Sequence, residues 1–267
     1  VGSEMCIRDR PKLNLKNPEV EKFITDVACY WIKECNIDGW RMDVGDEISH
    51  YFWKNFRRAV KAVKKDMLII GEIWHYAGDF LEGDEWDTVM NYPFYLNLID
   101  LLADEKIQVS QFIQNLGYLK GRLNKKCYPL MWNLIDSHDT ARFLHLCNGN
   151  KKKQHLAAAF QLLLPGMPMI YYGDEFAMPG ANDPDCRRGM YWDEEYQDKE
   201  MYEWYKQLLW IRKKHASISE GELIGAITKD EEETIVLIRK NVEETIALIF
   251  NCSSNAKNFS EYEGKYN

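Results

Sequence analysis

Residues 37–43 read IDGWRMD, a short apolar-rich run of strand length that ends in an aspartate. Before this run, Asn17 is a favourable N-cap and Pro18 suits the first turn of a helix. After it, apolar residues recur at helical spacing on one face, at Phe52, Trp53, Phe56, Val60 and Val63. The stretch therefore predicts a strand that lies between two amphipathic helices.

The same alternation continues along the chain. Further strands are predicted at 67–71, 88–90, 131–135 and 167–172, and helices near 95–103, 109–124, 153–164 and 201–215. Strands that are apolar throughout and separated by amphipathic helices indicate a parallel sheet covered on both faces, so the predicted fold class is α/β. About five strand-and-helix units precede Ala216, whereas a closed (β/α)8 TIM barrel has eight. We therefore expect the last five units of such a barrel, without its first three.

These patterns divide the chain into three predicted regions. Residues 1–10 (VGSEMCIRDR) have no helical or strand period and resemble translated adapter sequence, so we expect them to be foreign. Residues 11–217 are expected to form the partial barrel. Residues 218–267 are expected to begin a small antiparallel β domain, because the runs 234–238 and 245–249 are joined through a polar turn.

Composition bears on the class of partner. The formal net charge of −8 argues against nucleic acid, because nucleic-acid binders cluster Lys and Arg. No run reaches the roughly 18 to 20 apolar residues that cross a bilayer, so no membrane span is expected. The chain has nine Trp and fifteen Tyr, more than a core requires. This abundance favours a sugar-binding cleft, although Trp and Tyr also pack ordinary cores.

The seven cysteines show no metal-ligand spacing, and their odd number does not fit a disulfide framework. Reduced thiols in a cytoplasm are therefore expected. The sequence identifies no metal-binding residues.

An acid stands at or after the end of three predicted strands: Asp43, Glu72 and Asp139. Because the carboxyl ends of the strands of a parallel barrel lie on one face, we expect these side chains to converge there. Glycosidic bond cleavage needs one carboxylate at the oxocarbenium-like centre and one protonated carboxyl group that serves the leaving oxygen. The three acids therefore predict a glycoside hydrolase.

The surroundings of the acids predict different roles. Arg41 lies two residues before Asp43, so strand alternation places both side chains on one face, where the guanidinium would keep Asp43 ionised as a nucleophile. Glu72 follows an apolar run and precedes Ile73 and Trp74, which favours the neutral acid and a proton-donor role.

Each residue also has a plainer interpretation. Asp43 could cap the next helix, and Glu72 could be a surface loop residue. His138 and Asp139 could form a turn that hydrogen-bonds its own backbone, while Trp74 and His75 could pack the rim of the fold. The joint occurrence at three strand ends favours catalysis.

Three motifs carry a family resemblance: GWRMDV at 39–44, GEIWH at 71–75 and IDSHDT at 135–140. In this order they resemble the strands that carry the acids of the α-amylase superfamily, glycoside hydrolase family thirteen. The resemblance implies that Asp43 is the nucleophile and Glu72 the acid/base. It also implies that Asp139 holds the hydroxyls of the distorted sugar, with Arg41 and His138 in support.

Finer features are similar to the neopullulanase, cyclomaltodextrinase and maltogenic amylase group. PKLN at 11–14 matches a short motif of the group, except that Arg10 stands where Met is usual, and NYP at 91–93 and YYGDE at 171–175 also match. The resemblance covers roughly residues 11–220. It implies a set of substrate-binding residues: Trp74 and His75 beside the acid/base, Glu47 as an acceptor-side acid, and Asp183 and Arg187 in the loop DPDCR.

The implied activity is retaining hydrolysis of α-1,4, and in some members α-1,6, bonds in maltooligosaccharides, cyclodextrins or pullulan. No cofactor is implied, calcium is left open without an identifiable site, and a homodimer is expected of the full-length parent. The family's first strand motif has no counterpart before Pro11. We therefore expect this polypeptide alone to be inactive; a non-catalytic glucan-binding homologue is the other reading.

Overall fold

The computed structural model describes residues 12–260, so the predicted foreign segment at 1–10 and the Arg10–Pro11 junction lie outside the described residues. The chain divides into two compact units. The first comprises the residues up to Ile73 together with Ala77–Val89, and the second comprises Trp74–Tyr76 together with the residues from Met90 onward.

The first unit alternates helices and parallel strands, as predicted. Its elements are α1 (Pro18–Cys35), β1 (Gly39–Met42), α2 (His50–Val63), β2 (Leu68–Gly71) and β3 (Thr88–Val89). The strands pair in the order β1-β2-β3, and Met42 lies opposite Gly71. This register brings the residues that follow β1 and β2 side by side.

Local sequence explains where these helices begin. The Asn17 side chain accepts a hydrogen bond from the Glu19 amide, and the Ser49 side chain accepts one from the Phe52 amide, so both helices have an N-cap. Helix α2 buries Phe52, Trp53, Phe56 and Val60, four of the residues predicted to share its apolar face.

The second unit contains further helices and a pair of short parallel strands. Its helices are α3 (Tyr92–Leu98), α4 (Val109–Arg122), α5 (Phe143–Leu146), α6 (Lys151–Leu163), α7 (Lys199–Lys214) and α8 (Ala216–Ser219). Strands β4 (Trp132–Asn133) and β5 (Met167–Pro168) pair in parallel, and Met90 bridges to Trp132. The predicted strands at 131–135 and 167–172 are thus correct in place and too long.

The helix predicted near 95–103 is present and begins earlier. It begins at Tyr92, because the Asn91 side chain accepts a hydrogen bond from the Phe94 amide and Pro93 lies in the first turn. Its continuation, Ile99–Ala103, is a π-helix.

The C-terminal part of this unit is an antiparallel sheet of β6 (Glu222–Lys229), β7 (Thr234–Lys240) and β8 (Thr245–Asn251). The antiparallel pair β7–β8 is predicted by the sequence, whereas β6 is missed. Phe250 of β8 stacks on Phe160 of α6, with ring centroids 4.3 Å apart, so this sheet shares an apolar core with the helices. The predicted domain boundary at 217 stays a prediction.

Among residues 12–260, no helix combines the length and the apolar character that crossing a membrane demands.

Candidate active site

Asp43 and Glu72 are the residues that directly follow β1 and β2. Backbone hydrogen bonds continue past the strands: the Glu72 amide donates to the Met42 carbonyl at 2.9 Å, and the Gly45 amide donates to the Glu72 carbonyl at 3.1 Å. The ladder therefore fixes the backbone that carries both acids.

One guanidinium contacts both carboxyl groups. Arg41 Nη1 donates a short hydrogen bond to Asp43 Oδ1, and Arg41 Nη2 lies 2.9 Å from Glu72 Oε2. The contact with Asp43 follows from the predicted alternation along β1. The contact with Glu72 depends on the β1–β2 register, which sequence spacing does not reveal.

The two acids differ in exposure. The Asp43 side chain is 68% exposed, whereas the Glu72 side chain is 4% exposed. The sequence predicts apolar surroundings for Glu72, and this prediction is wrong in one respect. Besides its contact with Arg41, Glu72 Oε2 accepts a hydrogen bond from the Val44 amide at 3.0 Å. Glu72 is thus buried, but beside a cation and an amide donor.

Backbone geometry at Val44 aims this amide. Val44 has φ 45° and ψ 45°, the left-handed region that a β-branched residue rarely adopts. Such strained residues persist where the surrounding structure holds them, and they concentrate at functional sites. Gly71 is required for a different reason, since a Cβ atom there would collide with the indole of Trp86.

A second group of charged residues lies in the second unit, around the loop that follows β4. His138 Nε2 lies 3.1 Å from Asp139 Oδ2, and Arg187 Nη2 lies 2.9 Å from Asp139 Oδ1. Arg187 Nε also lies 2.8 Å from Asp183 Oδ1. The Cys186 thiol donates to the His138 carbonyl at 3.3 Å. Arg187 therefore joins the third acid to the loop that carries Asp183.

The remaining predicted substrate-binding residues, Trp74, His75 and Glu47, have contacts outside these two groups of charged residues. Trp74 is 42% exposed and stacks on Tyr92, with centroids 4.1 Å apart and an interplanar angle of 14°. His75 is exposed, and its Nδ1 lies 3.2 Å from the Tyr76 carbonyl oxygen. Glu47 lies in a 3-10 turn of the first unit and forms an ion pair with Lys12.

The structure thus assembles two contiguous groups. Arg41, Asp43 and Glu72 form the acid-pair cluster of the first unit. His138, Asp139, Asp183 and Arg187 form the third-acid cluster of the second unit. Sequence reasoning did not find the Val44 amide or the ring of Tyr92, although NYP at 91–93 carried a resemblance signal.

Among the described residues, no group of three or more His, Cys, Asp or Glu side chains could hold a metal ion.

Comparison with known proteins defines the class. The family described as alpha amylase, catalytic domain, matches residues 4–221, and the chain belongs to this family. The fold is accordingly of the TIM-barrel α/β type. The match begins inside the segment predicted to be foreign, and that prediction remains untested.

The similar curated proteins include a cyclomaltodextrinase of Geobacillus thermopakistaniensis, 45% identical over 92% of this chain and 42% of the relative. Neopullulanase 2 of Thermoactinomyces vulgaris is 46% identical over 80% of this chain and 36% of the relative. An intracellular maltogenic amylase of Bacillus subtilis is 43% identical over 85% and 39%. The chain spans about two fifths of the length of these relatives.

Solved structures agree. A cyclomaltodextrinase structure has a TM-score of 0.87 and 40% identity, covering 90% of this chain and 41% of that chain. A ligand-free cyclic alpha-maltosyl-(1→6)-maltose hydrolase from Arthrobacter globiformis has a TM-score of 0.86 and 36% identity, covering 90% and 54%.

Proposed function

We propose that the complete protein carrying this chain is a retaining glycoside hydrolase. Its substrates are maltooligosaccharides, cyclodextrins or pullulan, in which it cleaves α-1,4 and in some cases α-1,6 glucosidic bonds. The observation that carries the proposal is the single Arg41 guanidinium in contact with both Asp43 and Glu72. A shared guanidinium keeps the carboxyl groups close, as the separation of about 5 to 5.5 Å in retaining glycosidases requires.

The proposed reaction has two displacements. Asp43 attacks the anomeric carbon while Glu72 gives its proton to the leaving glycosidic oxygen, so one C–O bond forms and one breaks. In the second half, the Glu72 carboxylate takes a proton from water, and the water oxygen displaces Asp43. Both acids then return to their starting states.

The exposure of the two side chains suits this division of roles, because Asp43 is 68% exposed and Glu72 is 4% exposed. Asp43 is largely exposed, so its carboxylate can meet a sugar ring. On Glu72, Oε2 already faces a cation and an amide donor, so we place the transferable proton on Oε1. The strained backbone of Val44 then orients the proton donor through its amide.

The third-acid cluster is assigned to sugar binding. We propose that Asp139 and His138 hold hydroxyl groups of the distorted sugar. Asp183 and Arg187 bind the next sugar on the same side, and Trp74, His75 and Glu47 contact the acceptor side. The exposed, half-stacked Trp74 ring suits a sugar face.

Finer features of the whole protein belong to the same proposal. The described strands represent the last five units of an eight-unit barrel, and the sheet β6–β8 begins a C-terminal β domain. A homodimer and a cytoplasmic location are proposed. The free cysteines and the B. subtilis relative described as intracellular favour that location.

Product stereochemistry tests the proposal. Maltotriose and β-cyclodextrin are incubated with the complete protein, and the first product anomer is read by proton NMR. We expect the α-anomer. Initial β-anomer would contradict retention, and the absence of cleavage would favour a non-catalytic glucan-binding homologue. The isolated chain is expected to be inactive.

A further inference from the structure

Behind the loop that carries His138 and Asp139 lies a fully buried ionisable group. Asp136, Arg142 and Asp174 each expose 1% or less of their surface. Asp136 follows β4 by sequence, Arg142 precedes α5, and Asp174 begins a 3-10 turn after β5. None of the three has a role in the proposed reaction, and burying charge is costly unless it is paired.

Arg142 links the segments on which this group lies. Its Nη1 donates to the Tyr172 carbonyl at 2.8 Å and lies 3.2 Å from Asp174 Oδ1. Its backbone amide donates to the Gly180 carbonyl at 2.9 Å. Asp136 Oδ2 accepts a hydrogen bond from the Phe143 amide at 2.7 Å. Both segments lead to the third-acid cluster, in which Arg187 contacts Asp139.

The two carboxyl groups face each other. Among the described residues, no donor group reaches Asp136 Oδ1 or Asp174 Oδ2, and both oxygens are buried. The Asp136 and Asp174 carboxyl groups lie within hydrogen-bonding reach of each other. Two carboxylate oxygens accept only, so such a bond needs a proton on one of them. With one proton, the two acids and Arg142 are neutral together; without it, a net negative charge is buried.

The surroundings favour keeping that proton. Burial raises the pKa of Asp136 to about 6, against the lowering effects of the Asp174 hydrogen bond, the Phe143 amide and Arg142. Burial and the Asp136 carboxylate raise the pKa of Asp174 well above its ordinary value, with Arg142 opposing and Glu175 adding. The Tyr205 phenol also faces this group, and burial raises its pKa well above the ordinary value.

We propose that Asp136 and Asp174 share one proton and that this protonated pair, held by Arg142, positions Asp139 and Arg187 for substrate. These residues are positioning residues, since they act through the third-acid cluster. The kinetic measurements rest on the proposed function. The shared proton is also tested independently, by the pH dependence of folding stability.

The central test is the isosteric series Asp174→Asn and Asp174→Ala. An Asn amide donates to Asp136 permanently, and the remaining Asp136 and Arg142 stay neutral as a pair. In the complete protein we therefore expect Asp174→Asn to keep kcat within about threefold of wild type, and Asp174→Ala to lose about 10²-fold because Arg142 and Asp136 shift. Equal impairment of the two variants would overturn the shared proton.

Folding gives an independent measure. Between the ordinary carboxyl pKa and the raised folded value, the folded state holds one more proton than the unfolded state, so stability falls as pH rises. The urea midpoint of wild type should decrease between about pH 5 and about pH 8, with a smaller decrease in Asp174→Asn. Identical slopes would overturn the proposal. Glu203→Gln, at an exposed acid that pairs with Lys206, should keep the wild-type slope.

Two further controls separate the outcomes. If Asp174→Asn fails to fold, Asp136→Asn replaces it, because its amide oxygen can accept from Phe143 while its nitrogen donates to Asp174. Adding Asp174→Ala to Asp139→Asn should cost little more activity on an activated aryl maltoside; a fully additive loss would contradict positioning through Asp139. If the wild-type protein does not hydrolyse glucans, the proposed function is refuted, and the urea comparison still tests the shared proton.

Discussion

The acid-pair cluster and the third-acid cluster contain the same arrangement of charges, but they hold it in different ways. In each, one arginine lies between two acids: Arg41 in the first and Arg187 in the second. Arg41 belongs to a strand and its side chain is 28% exposed, whereas Arg187 belongs to a short turn and its side chain is 45% exposed. The first arrangement is fixed by the β ladder and the second by side-chain contacts.

This difference separates chemistry from binding. A partly buried guanidinium in lower dielectric acts strongly on its neighbours, while exposed ion pairs contribute about 1 kcal/mol or less. We therefore expect substitutions in the acid-pair cluster to change turnover, and substitutions at the exposed rim of the third-acid cluster to change substrate affinity. The predictions that follow test this contrast.

The largest effect is expected for Asp43→Asn in the complete protein. The amide cannot form the glycosyl intermediate, so kcat on maltotriose should fall by roughly 10⁴-fold or more while cyclodextrin binding persists. Steady-state kinetics and calorimetric titration measure the two quantities. Asp38→Asn is the matched control, since Asp38 precedes the same strand and pairs with Lys64 at 2.6 Å. Retained turnover in Asp43→Asn would show that Asp43 is not the nucleophile.

A smaller loss is expected for Arg41→Lys. Lysine keeps the charge but lacks the planar fork that reaches both acids, so the carboxyl groups lose their common anchor. We expect kcat to decrease by about 10²-fold with KM little changed. Arg57→Lys serves as control, because Arg57 lies in α2 and pairs with Asp87 at 2.8 Å. A change confined to KM would place Arg41 in binding instead.

The order of elements and the identity of the acids are readable from the sequence because they depend on local patterns. Apolar runs between amphipathic helices give the α/β alternation, and acids at strand ends stand out against those runs. The α2 face and the Asn17 and Ser49 caps are local in the same sense. The sequence did not predict β6 because Gly225 interrupts its apolar run and its side chains are exposed or only partly buried.

Features that depend on register or tertiary contact could not be predicted. The contact of Arg41 with Glu72 requires Met42 to face Gly71 on the neighbouring strand. The carboxyl pair of Asp136 and Asp174 joins positions far apart in the chain. In both cases the sequence shows which residue types are present, and only the fold shows which of them meet.

In the third-acid cluster, Arg187→Ala is expected to act on affinity. It removes contacts to Asp139 and Asp183, so KM for maltotriose should rise roughly tenfold, the scale of one charge-assisted hydrogen bond, with a small effect on kcat. Thermal stability should hardly change, because the contacts are exposed. Arg188→Ala is the control, since Arg188 is the next residue in the chain and pairs with Asp185 at 2.6 Å. A loss mainly in kcat would contradict the expectation that the third-acid cluster acts on substrate affinity.

The smallest effect is expected at Trp74. Its ring stacks on Tyr92 and leaves part of its surface exposed, so Trp74→Ala should weaken acceptor binding by about three- to tenfold, the value of one aromatic stack. The consequence is a lower ratio of transfer products to hydrolysis products at high maltotriose concentration, because water competes better when the acceptor sugar binds weakly. Trp74→Phe should restore most of the ratio. Trp192→Ala, at a more exposed tryptophan, should leave it unchanged; an equal shift in both alanine variants would show that the change is not specific to the acceptor side.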